Sequence, residues 1–178
     1  MDVRRVVTGH DEKGKAVFAS DERVAPITSI LMPGTEFHRL WGADQPVVFP
    51  DDGSAPPSMQ YFPGVGGFRF GLFTLPPAGT AAPADVDVAA ALADLEERLP
   101  GLAGHMEPDE PGMHTTDTID YEVVLSGEVV LELDDGVETT LRPGDTVVQN
   151  GTRHRWQNRG SQPAVIAVTL IGAHRQPS

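Results

Sequence analysis

The sequence predicts an all-β sandwich or barrel, and three observations predict it. Sixteen prolines and nineteen glycines divide 178 residues into short segments. Most of those segments are rich in Val, Ile, Thr and Phe, which fit a pleated, half-buried surface. Helical spacing of apolar residues occurs in one stretch. The length suits one ordinary domain.

Taken in order, Arg4–Thr8, Ala16–Ser20, Ile27–Leu31 and Glu36–Trp41 read as short strands, each ended by Gly, Pro or Asp. His38 reads as a surface residue and Trp41 as packing. Residues 46–63 carry five prolines and read as a surface loop. Gly67–Leu75 is apolar on both faces apart from Arg69, the pattern of a buried strand. Val88, Leu92, Leu95 and Leu99 lie on one face of a helix that Asp85 would cap and Pro100-Gly101 would stop. Asp120–Leu125, Val129–Leu133, Glu138–Leu141, Asp145–Gln149, Arg153–Gln157 and Val165–Ile171 then follow, joined by tight turns as in an antiparallel run. This divides the chain into N-terminal strands and loop (1–80) packing on a barrel, a helix and linker (81–110), and a core (111–173), one domain in all.

Thirteen Lys and Arg against 26 Asp and Glu leave a formal charge of −13. Such a surface repels phosphate backbones and anionic headgroups, so neither nucleic acid nor membrane is an expected partner. No apolar run approaches the roughly 20 residues that cross a bilayer, and the N-terminus lacks the apolar stretch of a signal peptide. The expected location is therefore cytoplasmic. The absence of cysteine excludes disulfides, thiolate nucleophiles and Cys-ligated metals, leaving His, carboxylate and water as ligands.

The chemistry concentrates near the C-terminal end. Side chains alternate along a strand, so His114, Thr116, Thr118, Asp120 and Glu122 share one face, while Ile119, Tyr121, Val123 and Leu125 share the other. A slip of one residue would exchange the two faces. A polar face of His and carboxylates makes sense if it lines an internal cavity while the apolar face packs on a second sheet or subunit. His154 and Trp156 share parity on a second segment, which would bring an indole beside the second His. Gln149 ends the strand before that segment. Arg69 needs a partner if buried, either a ligand carboxylate or an internal acid. His105, just ahead of the polar strand, could reach the cavity mouth as an acid or base.

The stretches PGMHTTDTIDYEVVLSGEVVLEL and LRPGDTVVQNGTRHRWQN resemble the two signature segments of the cupin family, over about a third of the chain. In the first, His114 and Gly127 stand at the family's first His and its Gly, but Thr116 replaces the second His and Asp120 the Glu. In the second, Pro143, Gly144, Asp145, Gly151, His154 and Asn158 all match. The resemblance, which extends to bacterial cupin-2 proteins, implies a double-stranded β-helix, a jelly-roll barrel of the RmlC-like kind, with extra N-terminal strands and one short helix.

The resemblance also implies a site. His114, His154 and Asp120 or Glu122 would form a two-His-one-carboxylate centre for a divalent metal, Fe, Mn, Ni or Zn. Without a metal, His114 or His154 would itself be the base, with His105 a further catalytic candidate. Thr116, Thr118, Glu122, Gln149, Trp156 and Arg69 would line the ligand pocket. The expected activity is of the oxygenase or dehydratase/isomerase type on a small organic metabolite. The alternative, favoured by Thr116, is a non-catalytic binding cupin. A cupin transcription regulator would need a helix-turn-helix and basic charge that this chain lacks. The apolar outer face and the N-terminal strands lead to the expectation of a homodimer with strand exchange.

Overall fold

The computed structural model describes residues 1–57, 59–81 and 83–176. Its strands are β1 (Val3–His10), β2 (Ala16–Val24), β3 (Ile27–Ser29), β4 (Met32–Ala43), β5 (Phe68–Leu75), β6 (Thr118–Ser126), β7 (Val129–Glu132), β8 (Glu138–Leu141), β9 (Thr146–Asn150), β10 (Arg155–Gln157) and β11 (Ala164–Gly172). One α-helix, α1 (Val88–Arg98), lies between β5 and β6. A six-stranded sheet in the order β3-β4-β5-β11-β6-β9 faces a three-stranded sheet, β10-β7-β8, and β1 pairs with β2 as a separate hairpin. All of the paired strands run antiparallel.

The core lies between the two sheets. Phe37, Phe73, Val124, Val129, Ile166, Val168 and Leu170 meet there, with Leu95, Leu99 and Leu102 added from α1 and the turn after it. β5 is flanked by β4 and β11, which explains why its sequence is apolar on both faces. β4 and β5 are hydrogen-bonded strands of the main sheet, joined to the C-terminal strands through β11.

Gly127 shows why the second β-region needs that residue. Its φ is 76°, and a Cβ added there would lie 2.7 Å from Ala164 Cα. The close approach of β11 leaves room for hydrogen alone.

Three expectations fail locally. The helix is capped by Asp87, whose carboxylate accepts from Ala90 N at 3.1 Å, rather than by Asp85. Its buried face is Ala91, Leu95 and Leu99, while Val88 and Leu92 are exposed. Small Ala91 lets the helix approach closely on that side, which apolar spacing alone does not reveal. His38, expected at the surface, is 1% exposed. It lies on the outer face of β4, where β1 and β2 fold over it.

The rest of that outer face is apolar as the alternation required. Phe70, Thr169, Tyr121 and Val148 form one row across β5, β11, β6 and β9, and Phe70, Tyr121 and Val148 are exposed.

Candidate functional site

The two histidines are joined through the backbone. His114 N donates to His154 O and His154 N to His114 O, both at 3.0 Å, in a bridge between the run into β6 and the run into β10. In such a hydrogen-bonded antiparallel pair both side chains emerge on the same face. The rings accordingly stand 4.2 Å apart at 49°.

Their tautomers follow from their partners. His114 Nδ1 lies 3.0 Å from Gly112 O, and His154 Nδ1 lies 2.9 Å from Thr152 O. A carbonyl only accepts, so each Nδ1 carries the proton. Each neutral ring then keeps a lone pair on Nε2. Burial lowers the pKa of His114, and burial followed by the charge of His114 pulls His154 down to about 4. Both are neutral bases near pH 7.

Asp120 and Glu122 come from β6 into the same cavity. Their side chains are buried, and Asp120 Oδ1 and Glu122 Oε2 have no hydrogen-bond partner among the described residues. Burial pushes Asp120 up to about 6, against the opposing pull of the Thr118 hydroxyl. Burial, then the charge of Asp120, pushes Glu122 up to about 8. Near pH 7 the pair therefore retains a proton, held mainly on Glu122.

The cavity measures about 240 Å³. An aromatic wall surrounds it: Phe37 packs edge-on to Tyr61, Tyr61 to Phe62, Phe62 reaches His114, His154 meets Trp156, and Trp156 meets Phe73. Tyr61 sits beside the carboxyls, and its phenol is held well above its usual range, chiefly by burial. Leu102 and Met106 close the side next to α1.

Beside the histidines, Arg153 straps the outer loop in place. It donates to both oxygens of Glu107 at 2.7 Å and pairs with Glu110 at 2.8 Å and Asp134 at 3.1 Å. A bidentate clamp one residue from His154 limits the movement of that ring.

The cavity thus brings together His114, His154, Asp120, Glu122 and Trp156, as parity required. The other sequence candidates lie elsewhere. Thr116 and Thr118 are buried against each other, with their hydroxyls 2.8 Å apart. Gln149 spends its amide nitrogen on Thr152 O at 3.1 Å and on the Thr152 hydroxyl. Arg69 is consumed by Gln60 O, Ala43 O, Phe68 O and the Asp44 carboxylate, so it is an internal clasp and not a wall of this cavity. His105 is exposed at the rim, where its ring lies 4.6 Å from Phe62 and its Nδ1 meets Gly101 O at 2.8 Å.

The metal expectation meets a geometric obstacle. Among the described residues, no three His, Asp or Glu side chains converge as a metal-ion site. The two Nε2 atoms suit a divalent ion, but among the described residues neither Asp120 nor Glu122 joins them as a third ligand. Thr116, at the family's second His, turns to Thr118 instead. The donor set therefore does not fit a two-His-one-carboxylate centre.

Sequence reasoning missed Phe37, Tyr61, Phe62, Phe73, Leu102 and Met106. The one available signal was the Tyr61-Phe62 pair at the end of a proline-rich loop.

Part of the chain is similar to known proteins. Residues 104–170 match the Cupin_2 family model, described as a cupin domain. Phomopsin biosynthesis cluster protein C' of Diaporthe leptostromiformis is 55% identical over 47 residues, 26% of this chain and 25% of that one. The match thus spans only a quarter of that relative's length. The cupin-domain-containing oxidoreductase fogC of Aspergillus ruber is 28% identical over 174 residues, 95% of this chain and 72% of the relative. Among solved structures, the Cnp3 cupin domain of Schizosaccharomyces pombe aligns with a TM-score of 0.47 at 10% identity, covering 96% of this chain and 87% of that one.

Proposed function

We propose that the chain, whose residues 104–170 match the cupin domain model, is a small-molecule enzyme that moves protons on a compact organic metabolite, by isomerisation or dehydration. The observation that carries the reading is the convergence of His114, His154 and the buried Asp120 and Glu122 carboxyls on one aromatic-walled cavity, where burial lowers the imidazole pKa values and raises the carboxyl ones. A base and an acid with pKa values pushed apart are what removal of a proton beside a carbonyl and departure of a hydroxyl require. His154 or His114 takes the proton at Nε2, and Glu122 supplies one to the oxygen that leaves or becomes an enol. The aromatic wall favours a planar, conjugated substrate.

A second reading rests on the relatives, several of which are cupin-domain oxidoreductases. One experiment separates the two. Purified protein is incubated with small phenolic, diketone and hydroxy-acid compounds, in air and under argon, with and without a chelator. Proton-transfer chemistry predicts conversion that persists under argon and with chelator. Conversion that requires oxygen would overturn it in favour of the oxidoreductase reading. Saturable binding without any conversion would favour a ligand-binding module.

A further inference from the structure

The face of the large sheet that turns away from the core is uncharged across four adjacent strands. Every outward position on β5, β11, β6 and β9, within residues 68–74, 165–171, 119–125 and 146–150, is apolar, Thr or Asn. An antiparallel sheet with one solvated side places polar residues there. This one instead places Phe70, Tyr121, Leu125 and Val148, which are between 43% and 54% exposed.

The β1–β2 hairpin covers His38 but leaves a trough farther along β4 and β5. The trough holds about 1240 Å³, and its walls include Val6, Val48, Phe49, Phe70 and Leu125, all exposed. β2 is itself exposed at nearly every residue, Phe18 by 79%. The hairpin is also electrically balanced. Residues 1–24 hold five Arg or Lys and five Asp or Glu, so the −13 of the chain resides in the rest.

The exposed area gives a measure of what is uncovered. The chain exposes 10441 Å², whereas a compact monomer of 19.0 kDa exposes about 8,400 Å². The difference, about 2,000 Å², lies within what one subunit contributes to an obligate homodimer, whose interface totals roughly 2,000–5,000 Å².

We infer that this face docks a second copy of the chain, in a two-fold dimer with Tyr121 near its centre. In such a dimer each face meets its own counterpart, and the four exposed side chains interdigitate with the same four of the second copy. Neutrality decides the place of contact. Two bodies of charge −13 repel over most of their surfaces, while this face and the hairpin beside it can meet without burying net charge. The flanking trough supplies the rest of the contact. This assembly is independent of the chemistry proposed for the cavity.

Light scattering coupled to size exclusion tests it on the full chain. At micromolar concentration the mass should be twice 19.0 kDa. Tyr121→Glu brings one carboxylate from each copy to the centre and should weaken dimerisation at least about thirtyfold. Val137→Glu, at an exposed residue beside β8 of the smaller sheet, should leave the dimer unchanged. Should Tyr121→Glu fail to fold by circular dichroism, Val148→Glu on the edge strand β9 takes its place. A monomer at micromolar concentration, a dimer that the substitution on this face leaves intact, or equal dissociation by Val137→Glu would each overturn the inference.

Discussion

Glu122→Gln is expected to raise the thermal midpoint in alkaline buffer while leaving it nearly unchanged at acid pH. Burial holds Glu122 in its protonated form and raises its pKa from 4.5 to about 8. A group raised on folding contributes stability that is fully present below its unfolded value and lost as pH climbs through the folded one. The unmodified protein should therefore lose stability progressively between about pH 4.5 and pH 8. Asp120, raised from 3.8 to about 6, adds to the loss in the lower part of that window. Glutamine keeps the shape and cannot ionise, so the Glu122 share of the loss disappears. A shift of this size corresponds to about 5 kcal/mol at most, or on the order of 10 °C in the midpoint. Parallel curves of midpoint against pH for the two proteins would show that Glu122 is not a buried acid.

The second large effect concerns the imidazole. His154→Gln should lower turnover by about 10²- to 10⁴-fold, the usual contribution of a positioned general base, with little change in substrate binding. Glutamine fills the space and can still bond Thr152 O, but it has no basic nitrogen. On the proposed proton-transfer function, the rate of the unmodified protein should fall at low pH as His154 gains its proton, and at high pH as Glu122 loses its own. An unchanged kcat in His154→Gln, measured alongside an intact cavity, would remove His154 from the chemistry.

The fold was legible because its signals are local. Turn residues marked the strand ends, and alternation along β6 placed Asp120 and Glu122 inside and Tyr121 outside. The bridge between His114 and His154 was legible for the same reason, since each stands at its motif position on a segment of definite parity. What alternation does not encode is reach. His114, Thr116, Asp120 and Glu122 share a face, yet the chain bends at Asp117 before β6 begins, and Thr116 and Thr118 satisfy each other there.

The aromatic lid was illegible for a different reason. Tyr61 and Phe62 occupy a proline-rich loop without periodicity. Their placement depends on Arg39 and Arg69 gripping the carbonyls of Met59 and Gln60 from strands some twenty residues and nine residues away. His38 looked like a surface residue because nothing near it in the chain announces that the distant β1–β2 hairpin will cover it.

The most direct test of the central claim, that neutral imidazoles face a protonated carboxyl, is a nitrogen-detected NMR titration of His114 and His154. At neutral pH both rings should be neutral with the proton on Nδ1, and His154 should gain its second proton only near pH 4. A proton on Nε2, or an imidazolium at neutral pH, would contradict the account.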